Sequence, residues 1–303
     1  MSDFLERNHP RPVFRLGRWI SVVVVAVIVV LIVNSLFTNP NYHWDKVWEN
    51  LFHPTIIRGI GFTLLLTIAA MIIGVILAVT MAIMRQSPNP VLKSVAWFYI
   101  WFFRGTPIYT QLIFWGLLPT LYPMVGVGSL TVDINLVWNV LWAAILGLGL
   151  NEGAYLAEIV RAGLNSVDAG QWEAATALGM KRGLVLRRII IPQAMRVIVP
   201  PTGNETISML KTTSLVSAVP FTMELTFAAQ ALGRQSFLPV PMLICAAIWY
   251  LLITSILMVG QFYLEKYFGK GFNKGGNDKR VKRRVKEADF AEANPGAFLD
   301  VTP

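Results

Sequence analysis

Five ionisable residues interrupt otherwise apolar stretches of this sequence: Arg104, Glu152, Glu158, Glu205 and Lys211. Each is costly in a hydrocarbon setting, so each belongs against a protein interior or a water-filled cavity. None stands in a bond-making constellation. No nucleophile with an adjacent base is evident, and His9, His43 and His53 are scattered without the spacing of metal ligands. No Gly-x-x-x-x-Gly-Lys-Ser/Thr run exists; the glycines from Gly269 to Gly276 lie in a basic tail without a preceding strand. What these residues offer is recognition of charge. A zwitterion away from water needs an anion for its ammonium and a cation or amide donors for its carboxylate, because neither charge tolerates being left unpaired.

Counting from the ends of the apolar runs places Glu152 and Glu205 nearest the middle, with Asn151 and Asn204 as neutral neighbours. These two carboxylates are the candidates for the ammonium side. Tyr155 and Glu158 follow Glu152 at intervals of three, so the three side chains share one helical face. Glu158 and Arg161 fall toward one end of their run, and Lys211 toward the far half of its own. For Arg104 and Lys211 a purely architectural alternative stays open, Lys211 paired with a carboxylate and Arg104 capping backbone carbonyls. The backbone around these residues is irregular. Gly147, Gly149 and Gly153 loosen one run, while Pro200 and Pro201 followed by Gly203 break another beside Asn204 and Glu205. Broken helices are tolerated at membrane depth where they line a cavity. Arg104-Gly105-Thr106-Pro107 predicts a kink in a third run.

The elements that carry these residues are apolar helices. Mean hydropathy is +0.56, 55% of residues are apolar and 14% are charged, which excludes an ordinary soluble domain. Six spans are expected, at 19–37, 58–84, 93–118, 136–163, 193–219 and 239–263, each long enough for about 30 Å of hydrocarbon. The first is long for a signal peptide and ends in Asn34-Ser35-Leu36-Phe37-Thr38 without a small-x-small cleavage site, so it reads as a retained accessory helix. With the amino terminus inside, the segments 1–18, 85–94, 161–196 and 266–303 hold 21 of the 26 Lys and Arg residues, which assigns them and both termini to the cytoplasm. The +9 net charge therefore reflects topology and anionic lipid, above all the run Lys279 to Lys286, and not nucleic acid. Cys245 lies alone in an apolar run and suits packing. Trp44 and Trp48 suit an interfacial segment, and a short external helix is expected between Pro220 and Pro239.

One polar, basic island stands between the apolar runs. Glu173-Ala174-Ala175-Thr176-Ala177-Leu178 favours a short helix that ends at Gly179, and Lys181 to Ile191 reads as a second amphipathic segment. In that segment Leu184, Ile189 and Ile191 face apolar surroundings and Arg182, Arg187 and Arg188 face water. Pro192 suits the start of the next helix. The island is either a loop at the lipid surface or a knuckle that docks into another protein.

The spacing of Glu173, Ala174, Ala175, Gly179, Ile189, Ile191 and Pro192 resembles the cytoplasmic signature loop of ABC importer permeases, with Ile191 where leucine is usual. Phe103-Arg104-Gly105-Thr106-Pro107, Ala154-Tyr155 with Glu158-Ile159 and Arg161, Gly170-Gln171, Pro192-Gln193-Ala194 and Lys211-Thr212-Thr213-Ser214-Leu215 resemble its polar amino-acid uptake branch. The resemblance covers roughly 58–265. It implies an all-α polytopic membrane protein of the type I importer class, six helices with a cytoplasmic coupling-helix loop at 164–192. The five-helix permease core would span 58–265, after a basic lead (1–18) and an accessory helix with its external loop (19–57), and before a basic, disordered tail (266–303). It further implies a prokaryotic plasma membrane and a transport subunit without catalytic residues, metal or cofactor of its own. ATP would be bound by a cytoplasmic ATPase dimer coupled through Glu173, Ala174, Ala175, Gly179, Ile189 and Pro192. A second permease subunit and an extracytoplasmic amino-acid-binding protein complete the assembly. Arg104, Asn151, Glu152, Tyr155, Glu158, Asn204, Glu205 and Lys211 are the substrate-path candidates. The alternatives are an ion-coupled secondary amino-acid transporter, for which inverted repeats are expected and none is seen, and a structural or regulatory membrane subunit.

Overall fold

The computed structural model describes residues 16–127, 130–219 and 221–269; the basic lead before residue 16 and the tail after 269 lie outside that range. Helix α1 (Leu16–Thr38) is apolar on every side, and none of its most apolar window is buried. A single turn of 3-10 helix leads to α2 (Trp44–Asn50), the interfacial segment expected around Trp44 and Trp48. Helix α2 ties two spans together. Trp44 Nε1 donates to the Leu36 carbonyl (2.7 Å) at the end of α1, while Cys245 Sγ and Trp249 Nε1 donate to the carbonyls of Val47 (3.3 Å) and Leu51 (2.8 Å).

Helix α3 (Pro54–Arg85) begins with proline at its first turn and His53 as cap. Helix α4 (Pro90–Gly105) is capped by Asn89, and α5 (Ile108–Gly116) follows across Thr106 and Pro107. The single kinked span expected at 93–118 is thus two helices. Thr106 precedes proline and is extended (φ −115°, ψ 144°), a conformation that ends a helix outright. A four-residue α6 (Leu118–Leu121) leads into an antiparallel hairpin, β1 (Met124–Val127) and β2 (Leu130–Asp133), in the register Met124 opposite Asp133 and Val125 opposite Val132. After α7 (Ile134–Val137) the chain enters α8 (Val140–Asn165), the central helix.

Helices α3 and α8 pack along most of their length, and small residues let them approach. A Cβ at Gly149 would lie 2.9 Å from Ile73, and one at Gly153 would lie 2.8 Å from the Leu77 Cβ. Around that seam the core collects Leu66, Leu112, Ile145, Leu148 and Met209. Tyr99 of α4 fastens the same seam by donating to the Leu150 carbonyl (2.6 Å).

The island folds as α9 (Ala169–Ala177) and α10 (Arg182–Val185), continued by a π-helical turn at Leu186–Ile190 into α11 (Ile191–Thr212). A 3-10 segment, Thr213–Ala218, ends α11. The helix expected between Pro220 and Pro239 is α12 (Leu225–Ser236), and α13 (Pro239–Phe268) closes the bundle. Two expectations are corrected here. Pro200 and Pro201 do not break α11, which runs through both. In the second amphipathic segment the buried apolar residues are Val185 and Ile190, whereas Leu184 and Ile191 are exposed. Ile189, as expected, is half-buried against the same core.

Among the described residues four helices are long and apolar enough to cross a membrane, namely α1 from Trp19, α3, α8 and α13. The other two expected spans differ for stated reasons. One is divided at Pro107, and the other, α11, mixes two prolines, Arg196, Asn204, Glu205 and Lys211 into its apolar face.

Candidate functional site

The expected path residues separate into three groups. Glu152 lies on α8 where it meets α3, so close that a Cβ at Gly74 would stand 3.0 Å from its Cγ. Its side chain is buried, and its Oε1 has no hydrogen-bond partner. Glu205 of α11 lies within electrostatic reach of it. The ion pairs among the described residues are Lys46 with Glu49 and Arg161 with Glu158, so neither Glu152 nor Glu205 is matched by a cation.

Asn151, next to Glu152 in sequence, points elsewhere. Its Nδ2 donates to the Phe103 carbonyl (2.9 Å) and to Gln111 Oε1 (3.2 Å), so its donors are occupied within the protein. Gln111 in turn donates to the carbonyls of Phe103 and Thr106 (both 3.0 Å) and to the Thr106 hydroxyl (2.6 Å). This network satisfies the backbone groups released where α4 breaks.

A second group surrounds Arg104. Its guanidinium carbon stands 5.3 Å from the centroid of the Tyr155 ring, and a cavity of about 440 Å³ holds both together with Arg85, Trp97, Trp101 and Glu158. Arg104 therefore rests on an aromatic face and not on backbone carbonyls. Glu158 accepts from Arg161 Nε and a terminal nitrogen at 3.0 and 2.5 Å. Of the shared face expected for Glu152, Tyr155 and Glu158, Tyr155 and Glu158 line one cavity, whereas Glu152 turns into the α3 seam.

The third group lies between α11 and α13. A groove of about 370 Å³ brings Asn204, Ser208 and Lys211 beside Gln261 and Glu265. Lys211 is exposed and has no carboxylate within ion-pair distance among the described residues. Gln261 donates to the Pro200 carbonyl (2.7 Å) and to Glu265 Oε1 (2.9 Å). A side chain at Gly203 would overlap the Gln261 amide, so glycine is required for this contact.

The basic island forms a small body with its own core of Ala175, Val185 and Ile190, ringed by Trp172, Met180 and Ile189. Gly179 adopts φ +73°, the left-handed conformation glycine takes most readily, and nothing lies within 4 Å of where its Cβ would be. Glu173 and Ala174 are exposed, and Leu178 is 81% exposed at the tip. Arg182 lies over Trp172, its guanidinium carbon 5.7 Å from the ring centroid. Pro192 sits in the first turn of α11.

Residues 70–270 match the family model described as the binding-protein-dependent transport system inner membrane component. The chain belongs to that family. A curated relative, the arginine transport system permease protein ArgU of Corynebacterium glutamicum, is 50% identical over 262 residues, which cover 86% of this chain and 83% of the relative. The octopine transport system permease protein OccM of Rhizobium meliloti is 41% identical over 216 residues, covering 69% and 83%. A solved amino acid ABC transporter crystallised with histidines superposes with a TM-score of 0.61 at 35% identity, covering 71% of this chain and 95% of that one. The inward-facing methionine transporter MetNI, at 15% identity and a TM-score of 0.58 over 71% and 96% of the chains, shares the fold. This family member is accordingly a membrane-embedded permease of an ABC transport system, with the fold of the type I importers.

Three residues that matter to this geometry were not singled out from the sequence. Gln111 donates to carbonyls where α4 ends, and Gln261 donates to the Pro200 carbonyl, 61 residues away in the chain. Glu224 is fully buried at the start of α12, where it accepts from Thr63 Oγ1 (2.9 Å), the Thr226 amide (2.7 Å) and the Tyr250 hydroxyl. A glutamine inside an apolar run has no periodic signature. For Glu224 the available signal was its place one residue before a helical run, the position of an N-cap.

Proposed function

We propose that this permease imports amino acids with a cationic side chain, of the arginine class, and that Glu152 and Glu205 bind the positive end. The observation that carries the reading is the buried carboxyl of Glu152, whose Oε1 has no hydrogen-bond partner, with Glu205 of α11 within electrostatic reach. Such an arrangement is unfavourable when empty and is relieved by a cation. The name of the 50% identical relative agrees with it. The remaining path candidates, Arg104, Asn151, Tyr155, Glu158, Asn204 and Lys211, are assigned to orientation of the solute and to the walls of its route.

Transport is driven by ATP bound on a separate cytoplasmic ATPase dimer, and this chain holds no cofactor and catalyses no bond change. The Glu173–Pro192 knuckle is the docking element, with Glu173, Ala174 and Leu178 as the presented surface and Ala175 and Ile189 as the packing beneath it. A second permease subunit and an external binding protein complete the assembly in a prokaryotic plasma membrane. The concentration of basic residues in the knuckle, lead and tail supports a cytoplasmic placement of both termini.

The deciding experiment is radiolabelled uptake of acidic, neutral-polar and basic amino acids in cells lacking this chain and complemented with variants. Basic amino-acid uptake should disappear with the chain, return with the parent sequence, and fall at least tenfold with Glu152→Gln. Equal loss of acidic and neutral uptake would overturn the substrate class. Gly179→Trp should abolish ATP-dependent uptake at unchanged membrane abundance, because a side chain at φ +73° is strained and the tip carries the docking surface.

A further inference from the structure

The cavity around Arg104 holds charge that binding of a positive group does not use. Arg85, the last residue of α3, and Arg104, near the end of α4, both line it, and neither has a carboxylate within ion-pair distance among the described residues. The acid in the same cavity, Glu158, is engaged by Arg161. The Tyr155 ring holds the Arg104 guanidinium without consuming any of its five N–H donors. Trp97 and Trp101 stack in parallel, with centroids 5.9 Å apart and planes 8° apart, and half of each ring is exposed. Two guanidinium groups lacking an anion are suited to bidentate capture of an oxyanion. Aromatic faces beside them accept apolar or cationic groups.

Position narrows the ligand. Glu158 follows Glu152 by six residues on α8, which is about 9 Å along the helix. The cavity thus lies between the acidic pair and the helix end marked by Arg85. We propose that it is a carboxylate-binding station for the transported amino acid, with Arg85 and Arg104 as the donors and Trp97 and Trp101 as its wall. This rests on the function proposed above and adds the recognition of the other end of the solute. An anionic lipid headgroup offers the same oxyanion, so the test must separate the two sources.

The assembled transporter in phosphatidylcholine nanodiscs is titrated by equilibrium dialysis with radiolabelled L-arginine and with agmatine, which keeps the guanidinium and lacks the carboxylate. Arg104→Gln and Arg85→Gln should each weaken arginine binding about tenfold, the effect of losing a charged hydrogen-bonding partner, and leave agmatine unchanged. Arg104→Lys, which keeps the charge and loses the fork, should fall between parent and Arg104→Gln and guards against misfolding of the more drastic change. Unchanged arginine affinity in both glutamine variants overturns the proposal. So does an outcome in which the double variant only sheds phosphatidylglycerol in native mass spectrometry after reconstitution with that lipid. Glu152→Gln should weaken arginine and agmatine alike. Failure of the parent to bind either compound would refute the cationic substrate class alone, and the carboxylate station is then read with L-glutamine against its decarboxylated analogue 4-aminobutanamide.

Discussion

Helices α4 and α11 both meet proline near a charged residue, and the chain treats the two places in opposite ways. At Thr106-Pro107 the helix stops, and the released carbonyls are gathered by a buried amide, Gln111, itself held by Asn151 of the central helix. At Pro200-Pro201 the helix continues, and one amide from α13, Gln261, reaches the Pro200 carbonyl at the edge of an open groove. Thr202 Oγ1 adds a bond to the Ile198 carbonyl (2.8 Å). The first joint spreads its load over four hydrogen bonds that Gln111 and Asn151 donate to Phe103 and Thr106. The second rests on a single cross-helix tie from a residue that also holds Glu265. A joint of the first kind fixes geometry; one of the second kind lets a helix bend where it borders Asn204 and Glu205.

The largest effect is expected from Gln111→Leu. It leaves the Thr106 carbonyl without its donor and Asn151 Nδ2 without one acceptor, while the Phe103 carbonyl keeps Asn151, and costs about 2–3 kcal/mol, measurable as lower resistance to denaturation by SDS titration. Were this variant as stable as Gln261→Leu, the distinction between the two joints would fail. Gly203→Ala should act next. Its methyl overlaps the Gln261 amide, so the tie to Pro200 is lost, uptake falls several-fold, and stability changes by about 1 kcal/mol or less. Adding Gln261→Ala to it should remove the overlap and restore stability without restoring uptake. Thr106→Val is expected to be the mildest change, about 0.5 kcal/mol, since it deletes the 2.6 Å hydroxyl bond while the Thr106 carbonyl keeps its donor.

The same contrast marks what the sequence could disclose. Local rules placed four of the six expected apolar spans, the end of α9 at Gly179 and the helix α12, because capping, hydropathy and backbone freedom act within a few residues. The fate of the prolines was not local: Pro107 ends a helix through the extended residue before it, whereas Pro200 and Pro201 are carried along by α11, with an amide from α13 on the Pro200 carbonyl. Of Glu152, Tyr155 and Glu158 only the last two share a cavity, since helical spacing gives neighbours on one helix and says nothing of which neighbour helix each side chain meets. In the segment 181–191 Ile189 packs as expected, but Val185 and Ile190 are buried in place of Leu184 and Ile191, because packing against Ala175 and Trp172 of α9, and not periodicity alone, selects the positions. The hairpin at 124–133 was not expected at all; each strand has four residues, too few for alternation to stand out from the flanking apolar runs.

The link made by α2 carries a mechanical consequence. Its Trp44 hooks the end of the first span, and its own carbonyls are pinned by Cys245 and Trp249 of the last. The first span is in effect an outrigger, lashed to the hull at its outer tip by a short crossbar, with its length afloat in lipid. Shortening or replacing its apolar stretch with another of equal length would leave the hull's timbers in place, whereas loosening the crossbar at Trp249 would free the outrigger and unmoor the final helix together.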